Sequence, residues 1–267
     1  MKTDIFQIDA FTDRPFRGNP AAVCLLSEPR SSEWMQQVAG EMNLSETAFL
    51  EPARDGYNLR WFTPVYEVDL CGHATLASAH FLWAEGILRP DQEARFQTRS
   101  GLLTARISAP GWIEMSFPSQ PPSRCPPPDG LEKALGSSFV FCGANGTDIL
   151  VEVENESTVR ELEPDISRLK RVECRGVIVT SRSDGPFDFV SRFFAPRAGV
   201  DEDPVTGSAH CCLAPFWADH LGKTAFLAYQ ASSRGGEVRI ELRQDRVLLS
   251  GQAVTVLRGV LETPDEA

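Results

Sequence analysis

Glu46 is the residue whose type and surroundings most suggest chemistry. It stands at the head of the apolar run Thr47-Ala48-Phe49-Leu50, directly after an amphipathic segment. A charged side chain in an apolar strand is costly unless it faces a cleft. Partial desolvation in a cleft would raise the pKa of Glu46 toward the working range of a general base. The alternative is an ordinary strand residue that points into water.

Two further proton-transfer candidates stand beside glycines that open helices. His73 follows Gly72, and a helix N-terminus lowers the pKa of a histidine, which favours the neutral imidazole that can donate or accept a proton. Asp203 precedes Gly207 and could accept a hydrogen bond from a histidine or a substrate ammonium. The alternatives are a buried core histidine and a helix cap.

The two glycine-opened helices also predict a binding function. The first N–H groups of a helix have no intrahelical acceptor, and the helix dipole is positive there. Gly72, Gly207 and Ser208 therefore suit a carboxylate. We expect a small carboxylate-bearing metabolite as ligand, with plain capping of two buried helices as the alternative.

Metal and cofactor motifs are missing from the sequence. Cys71 lies near His73, and His210 precedes two cysteines, but neither a CxxC pair nor an HExxH spacing occurs. Adjacent Cys211 and Cys212 would point to different sides of a helix. Neither a dinucleotide fingerprint nor a phosphate loop is present. We predict no metal and no cofactor.

The sequence repeats itself at an offset of about half its length. Arg60-Trp61-Phe62-Thr63-Pro64 resembles Arg192-Phe193-Phe194-Ala195-Pro196, and 192 − 60 = 132. Each stretch continues through Val-Asp, at residues 68–69 and 200–201, to a glycine-opened helix. Both helices, predicted over 73–84 and 208–221, are apolar nearly all round and must be buried on all sides, with a kink expected at Pro215. A duplicated domain follows.

The remaining patterns predict a sheet curled around each buried helix, which is an α+β architecture. Strands are expected at 5–8, 21–25, 112–117, 176–180, 187–194, 224–229, 237–243 and 254–261, and an outer helix at 32–42. Six of the eleven residues from 118 to 128 are proline, which predicts a stiff extended connector. The predicted domains are 1–118 and 129–253, and the strand in 254–267 could join either half.

Composition excludes several classes of function. The net charge is 26 − 37 = −11, so an acidic surface disfavours nucleic acid. No apolar run approaches the roughly 20 residues of a membrane span. The seven cysteines are an odd number in a chain without a signal peptide pattern, which is typical of a reducing compartment. We expect a cytoplasmic protein without disulfides.

Four motifs, in order, resemble those of the PhzF-like family, which is named for a phenazine biosynthesis isomerase. They are Gly18-Asn19-Pro20-Ala21-Ala22-Val23, Asn43-Leu44-Ser45-Glu46-Thr47-Ala48-Phe49, Asp69-Leu70-Cys71-Gly72-His73-Ala74-Thr75 and Asp203-Pro204-Val205-Thr206-Gly207-Ser208-Ala209-His210. The resemblance implies the diaminopimelate epimerase fold, in which two pseudo-symmetric halves each curl a mixed sheet around a central helix and hold the active site between them. It also implies a homodimer.

The resemblance further implies a cofactor-independent isomerase. Glu46 takes the place of the family's general base and acid, while His73, Asp203 and Ser208 fall on positions that hold the substrate. Backbone N–H groups at Gly72 and Gly207 would complete an anion pocket. Asn19, Cys71 and Thr206 are further substrate-binding candidates from the same motifs.

The second cysteine position of the related epimerases is where the sequence departs from their pattern. Those enzymes use two cysteines, one on each face of the substrate carbon. Here Cys71 stands at the first position and Thr206 at the second. An amino-acid epimerase, racemase or hydroxy-amino-acid dehydratase that uses Cys71 therefore stays an alternative, as does a non-catalytic binder of small anions.

Overall fold

A computed structural model describes residues 2–262 of the chain. These residues divide into two units, of which unit 1 comprises residues 2–116 and 250–262 and unit 2 comprises residues 117–249. The helices and strands, in chain order, are β1 (Lys2–Ala10), β2 (Asn19–Leu25), α1 (Ser32–Met42), β3 (Glu46–Ala53), β4 (Gly56–Phe62), β5 (Glu67–Val68), α2 (Gly72–Ala84), β6 (Ala94–Thr98), β7 (Gly101–Ala109), β8 (Trp112–Pro118), β9 (Ser123–Arg124), α3 (Leu131–Leu135), β10 (Phe141–Ala144), β11 (Asp148–Glu152), α4 (Glu156–Glu161), α5 (Ile166–Leu169), β12 (Gly176–Arg182), β13 (Phe189–Ala195), β14 (Val200–Asp203), α6 (Gly207–Leu221), β15 (Ala225–Gln230), β16 (Gly236–Arg243), β17 (Arg246–Gly251) and β18 (Ala253–Glu262).

The sheet of unit 1 is mixed. Its strands lie in the order β18-β1-β2-β3-β4-β6-β7-β8, and all neighbours are antiparallel except the pairs β2/β3 and β4/β6. Each parallel pair is joined through a helix, as parallel strands require a crossover. Helix α1 connects β2 to β3, and α2 connects β4 to β6.

Unit 2 repeats this order with its own strands. They lie in the order β9-β10-β11-β12-β13-β15-β16, with parallel pairs β11/β12 and β13/β15. Helices α4 and α5 make the first crossover, and α6 makes the second. The same alternation of antiparallel neighbours and helical crossovers in both units confirms the predicted duplication.

The alignment of the two repeats needs one correction. Trp61 of β4 is opposite Val68 of β5, whereas its counterpart Phe193 of β13 is opposite Asp203 of β14. Asp203 is therefore the counterpart of Val68, and Val200-Asp201 is not the counterpart of Val68-Asp69. The offset grows from 132 residues at the strands to 207 − 72 = 135 at the helices. A 3₁₀ turn at Pro196–Ala198 precedes β14 in the second repeat.

Helix α2 is the central helix of unit 1, as its apolar sequence predicts. It contacts β1, β2, β3, β7 and β18, which span the sheet from its edge inward. Every residue from His73 to Ala79 is buried. Helix α1 spans the predicted Ser32–Met42. Its N-cap is Ser31, whose side chain accepts a hydrogen bond from the Trp34 N–H, and its C-cap is Asn43, which lies in the left-handed region.

Helix α6 takes the same role in unit 2. Trp217 stacks on Phe189 of β13 at a centroid distance of 5.5 Å, and its indole N–H donates to Thr180 of β12. Phe216 packs on Phe141 of β10. The helix runs through Pro215 and ends at Gly222, which is in the left-handed region.

The proline-rich segment is extended, as its composition predicts, but it is part of unit 2 rather than a separate connector. Ser119 and Gln120 donate their N–H groups to the carbonyls of Asp245 and Cys211. Residues Ser123–Arg124 form β9, which pairs with β10. The segment is extended, but it lies against unit 2, because its remaining N–H groups find acceptors there.

The last strand joins unit 1. Strand β18 is antiparallel to β1 along its whole length, from Lys2 opposite Glu262 to Ala10 opposite Ala253. Within residues 2–262, no helix combines the length and the apolar character that crossing a bilayer requires.

Candidate active site

Unit 1 brings Glu46, Cys71 and His73 together. Glu46 is the first residue of β3, Cys71 is the N-cap of α2, and His73 is the second residue of that helix. Since α2 packs on β3, the start of the strand and the start of the helix meet. The interruption of an apolar run that singled out Glu46 is thus explained by a polar neighbour.

The imidazole of His73 lies between the other two side chains. Its Nδ1 is 3.5 Å from the Cys71 Sγ, and its Nε2 is 3.3 Å from a Glu46 carboxylate oxygen. The His73 side chain is 5% exposed and that of Glu46 is 17% exposed, so the glutamate is the member of the trio that solvent or a ligand can reach. The Nε2 makes no hydrogen bond of good geometry among the described residues, so its contact with Glu46 is a close approach of the two groups.

Burial keeps His73 neutral. Desolvation lowers the pKa of His73 to about 3, so the imidazole carries one proton at any physiological pH. The sequence predicted this direction from the helix dipole, whereas burial is the cause that the structure shows. A neutral ring can accept from the Cys71 thiol at Nδ1 while it presents an Nε2 proton to the Glu46 carboxylate. Such a ring can orient Glu46 and pass a proton.

The same trio contains the atom types that bind zinc. Ligand atoms of Glu46, Cys71 and His73 lie within 4.8 Å of one another. However, the thiol faces Nδ1 and the carboxylate faces Nε2, and the two nitrogens of an imidazole point away from each other. One ion cannot use both contacts, so the arrangement suits a relay of hydrogen bonds better than a single coordination sphere. The absence of a metal stays a prediction.

In unit 2, Asp203 and Thr206 are held in one hydrogen-bond network with Gln230 of β15. The Thr206 hydroxyl donates to the Asp203 carboxylate, and the Thr206 N–H donates to the Gln230 side-chain oxygen at 2.8 Å. The Gln230 amide nitrogen donates in turn to the Asp203 backbone carbonyl at 2.7 Å. Thr206 thus fixes the Asp203 carboxylate, and Gln230 is a site residue that the sequence analysis missed.

Ser208 has a cationic neighbour that the sequence analysis also missed. The Arg175 guanidinium donates to the Ser208 hydroxyl oxygen at 2.9 Å. It also makes a two-pronged ion pair with Asp148, whose side chain is fully buried. Because the Ser208 oxygen accepts from Arg175, the hydroxyl proton of Ser208 can be donated to an anion.

The duplication contains the signal that could have found Arg175. In the parallel pairs β2/β3 and β11/β12, Glu46 is opposite Ala21 and Gly176 is opposite Asp148. Gly176 is therefore the counterpart of Glu46, and Arg175 is the residue just before it. His73 and Ser208 are each the second residue of the central helix. Near the start of the strand and at the second residue of the central helix, unit 1 thus carries an acid–imidazole pair and unit 2 carries a cation–hydroxyl pair, with the cation one residue before the counterpart of Glu46.

The other predicted residues lie at the ends of strands and helices. Gly72 and Gly207 are the first residues of α2 and α6, where N–H groups are available to an anion. Asn19 is fully buried at the start of β2. It follows Gly18, which has a φ of +63° and leaves no room for a Cβ, because that atom would lie 2.1 Å from the Ala10 carbonyl oxygen.

Comparison with known proteins finds a matching family model, similar sequences and similar solved structures. The model of the family described as phenazine biosynthesis-like protein matches residues 8–259. An uncharacterized isomerase of Halalkalibacterium halodurans is 55% identical over 98% of this chain and 99% of its own. A crystal structure of a phenazine biosynthesis protein of the PhzF family from Enterococcus faecalis is 39% identical, with a TM-score of 0.93 over 98% of this chain and 100% of that one.

A more distant structure supports the fold class. A hydroxyproline epimerase from Agrobacterium vitis is 11% identical and has a TM-score of 0.65 over 97% of this chain and 92% of that one. At this identity the likeness concerns the fold alone. Together with the repeated topology of the two units, it confirms the predicted α+β epimerase fold.

Proposed function

The chain belongs to the phenazine biosynthesis-like family, and from this premise we propose that it is an isomerase that moves a proton within a small cyclic or amino carboxylate. Its similarity to a protein named an isomerase supports the reaction class. The observation that carries the proposal is the contact of Glu46 with the neutral, buried His73 at 3.3 Å. A carboxylate that is mostly shielded from water and oriented by an imidazole is suited to act as general base.

In the proposed reaction, Glu46 removes a proton from a carbon of the substrate and returns it to another carbon. The carbanion formed in between is stabilised by conjugation with the substrate's own carboxylate or ring. His73 orients Glu46 through Nε2 and stays neutral, because burial holds its pKa near 3. The glutamate ends the cycle as it began, so no oxidant, reductant or cofactor is consumed.

Substrate binding is proposed for the groups that suit an anion. The N–H groups at Gly72 and Gly207 and the hydroxyl of Ser208 can donate to a carboxylate. Asp203 is proposed to accept from a substrate ammonium or hydroxyl group. The proposal therefore expects a substrate with a carboxylate and a neighbouring amino or hydroxyl group.

Proton exchange in deuterated water tests the role of Glu46. A panel of cyclic and amino carboxylates that includes a dihydro-hydroxyanthranilate would be followed by mass spectrometry. We expect Glu46→Gln to slow exchange by about 100- to 10,000-fold, which is the usual contribution of a general base. Binding of the same compound should persist, because the amide keeps the shape of the side chain.

Glu51→Gln is the matched control, since Glu51 lies on the same strand β3 and is also half-buried. It should exchange at the wild-type rate. Full exchange in Glu46→Gln would reject the proposed base. Ligand-dependent thermal stabilisation without exchange of any compound would favour a binder of small anions.

An epimerase, racemase or dehydratase that uses Cys71 is the second candidate. The observation that favours it is the 3.5 Å contact of the Cys71 Sγ with the His73 Nδ1, through which the imidazole can accept a hydrogen bond from the thiol and hold it in place. This candidate expects exchange to be lost in Cys71→Ala and kept in Cys174→Ala, a half-buried cysteine of unit 2. Normal turnover of Cys71→Ala would eliminate it.

A homodimer is proposed from the family resemblance alone. For a chain of 29.4 kDa, light scattering should then give 2 × 29.4 = 58.8 kDa. A mass that stays at the single-chain value at micromolar concentration would contradict it.

A further inference from the structure

Two cysteines of unit 2 lie opposite each other on neighbouring strands. Strands β9 and β10 are antiparallel, with Arg124 opposite Gly143 and Ser123 opposite Ala144. Continuing this register by one residue places Cys125 opposite Cys142. The N–H of Cys125 donates to the Cys142 carbonyl at 3.1 Å, which shows that the pairing does extend to the two cysteines.

This backbone geometry suits a disulfide. Directly opposed residues of an antiparallel pair have Cα atoms about 4.5 to 5.5 Å apart. Disulfides join Cα atoms that are about 4.4 to 6.8 Å apart. Strand β9 is only two residues long, so its end can adjust as the sulfurs approach bonding distance.

The side chains of both cysteines lie at the core of unit 2. Cys142 is buried in the core of unit 2, while Cys125 is half-buried and packs against that core. Burial and the neighbouring Cys125 raise the pKa of Cys142 to about 12, and the more exposed Cys125 is the thiol that an oxidant reaches first.

We propose that Cys125 and Cys142 form an intramolecular disulfide when the protein meets a peroxide, as a reversible modification that fastens the proline-rich segment to the core of unit 2. The Cys125 sulfur attacks one peroxide oxygen and becomes a sulfenic acid, with release of one water. The Cys142 sulfur then displaces the hydroxyl group as a second water and forms the S–S bond. Two thiols are oxidised, one hydrogen peroxide is reduced to two waters, and a thiol reductant reverses the bond.

The bond would close a loop that contains the whole of α3 between its two ends. A cross-link restricts the unfolded chain more than the folded one when the native geometry already fits it. We therefore expect the oxidised protein to melt roughly 5 to 10 °C above the reduced protein. The sequence predicted a protein without disulfides, and all seven thiols, which lie within residues 2–262, are free in the structure. The proposed disulfide is one that forms only on oxidation of this reduced protein.

Peptide mapping of the oxidised full-length chain tests this directly. After treatment with hydrogen peroxide under native conditions, remaining thiols are alkylated and the protein is digested with trypsin without reduction. Cleavage after Arg124, Lys133 and Arg160 puts Cys125 in the peptide 125–133 and Cys142 in the peptide 134–160, each with one cysteine. We expect these two peptides linked, with a mass 2 Da below their sum, and the count of free thiols in denaturant to fall from seven to 7 − 2 = 5.

Serine variants give the controls. Cys125→Ser and Cys142→Ser should each lose the linked peptide and the rise in melting temperature on oxidation, whereas Cys174→Ser should keep both. If a serine variant fails to fold, the wild-type peptide map still decides. A map in which residues 125 and 142 stay unlinked, a link to another cysteine, or a melting temperature that does not rise would overturn the proposal.

Discussion

His73 shows how much a single residue depends on what surrounds it. A histidine in water is half protonated near its ordinary pKa of 6.5, and the ring would then carry a charge during part of the physiological range. Burial lowers the pKa of His73 to about 3. The same ring thereby becomes a fixed, neutral neighbour of Glu46 and Cys71, and only Glu46 needs to change its protonation state in the proposed reaction.

Arg175 is the residue of unit 2 whose substitution should most clearly weaken the binding of a carboxylate. Its guanidinium donates to both Asp148 carboxylate oxygens and to Ser208 at once, and an ammonium, which lacks the planar fork, does not reproduce that geometry. We expect Arg175→Lys to raise the KM of the exchanged carboxylate about 10- to 100-fold, which is the usual strength of a charge-assisted hydrogen bond, and to change kcat by a few-fold at most. Steady-state kinetics of the exchange reaction measures both constants.

Arg182→Lys is the matched control, because Arg182 ends the strand β12 that Arg175 precedes and is exposed. Its kinetic constants should match those of the wild type. A variant Arg175→Lys with a lower kcat and an unchanged KM would show that Arg175 does not act through carboxylate binding.

Among the secondary-structure elements, the two central helices are distinct because each also buries the face that a surface helix exposes to water. Helix α6 carries His210 and His220, which both have Nδ1 at 2.8 Å from the carbonyl four residues earlier. They differ in burial, because His210 is fully buried and the His220 side chain is 39% exposed. Burial lowers the pKa of His210 to about 4 from its ordinary 6.5.

The lowered pKa of His210 predicts that this residue makes the free energy of unfolding decrease in acid. Between pH 6.5 and pH 4 the unfolded chain binds a proton at His210 that the folded chain does not, so the free energy of unfolding falls as the pH falls. From pH 7 to pH 5 this histidine accounts for a loss of about 2 kcal/mol. Urea unfolding at pH 7 and at pH 5 measures this loss. The free energy of unfolding should decrease by about 2 kcal/mol less in His210→Asn than in the wild type.

The comparison uses the difference between two pH values, so a constant destabilisation from the substitution cancels. Equal pH dependence in wild type and His210→Asn would contradict the prediction.

At the scale of the whole chain, the path leaves unit 1 after residue 116 and returns to it at residue 250. Strand β18 then closes the sheet by pairing with β1 over its full length. The stability of unit 1 therefore depends on residues far from the rest of its sequence. Unit 2, by contrast, is one continuous stretch.

A truncation after Gln252 tests this organisation. It removes β18 and leaves β1 with one exposed edge, so we expect the amides of β1 and β2 to exchange hydrogen more than 10-fold faster, while those of β11 and β12 keep their protection. Hydrogen exchange followed by mass spectrometry resolves the two sets of peptides. A truncation after Glu262, which keeps β18, should behave as wild type, and equal loss of protection in both units would refute the prediction.

Among the described residues, local patterns in the sequence predicted three of the six α-helices, which are α1, α2 and α6, and eight of the eighteen strands. The helix at 32–42 was predicted at the bounds that the structure has, and the two central helices were predicted to within one residue. These predictions succeeded because a half-buried helix such as α1 shows a 3.6-residue period, because a fully buried helix is apolar nearly all round, and because Gly and Asn tolerate the left-handed region at helix ends. The repeat and the family motifs pointed to Glu46, His73 and Ser208 for the same reason, since all of them stand at the ends of such elements.

Tertiary structure decided which of these residues touch. The contact of Glu46 with His73, the contact of Arg175 with Ser208 and the backbone pairing of Cys125 with Cys142 all depend on elements that are separate in sequence. The same holds for the place of β18 and for the docking of the proline-rich segment. The physical reason is that a residue's own neighbours in sequence set its preference for helix or strand, whereas its contacts, its burial and hence its pKa are set by whichever distant strand packs beside it.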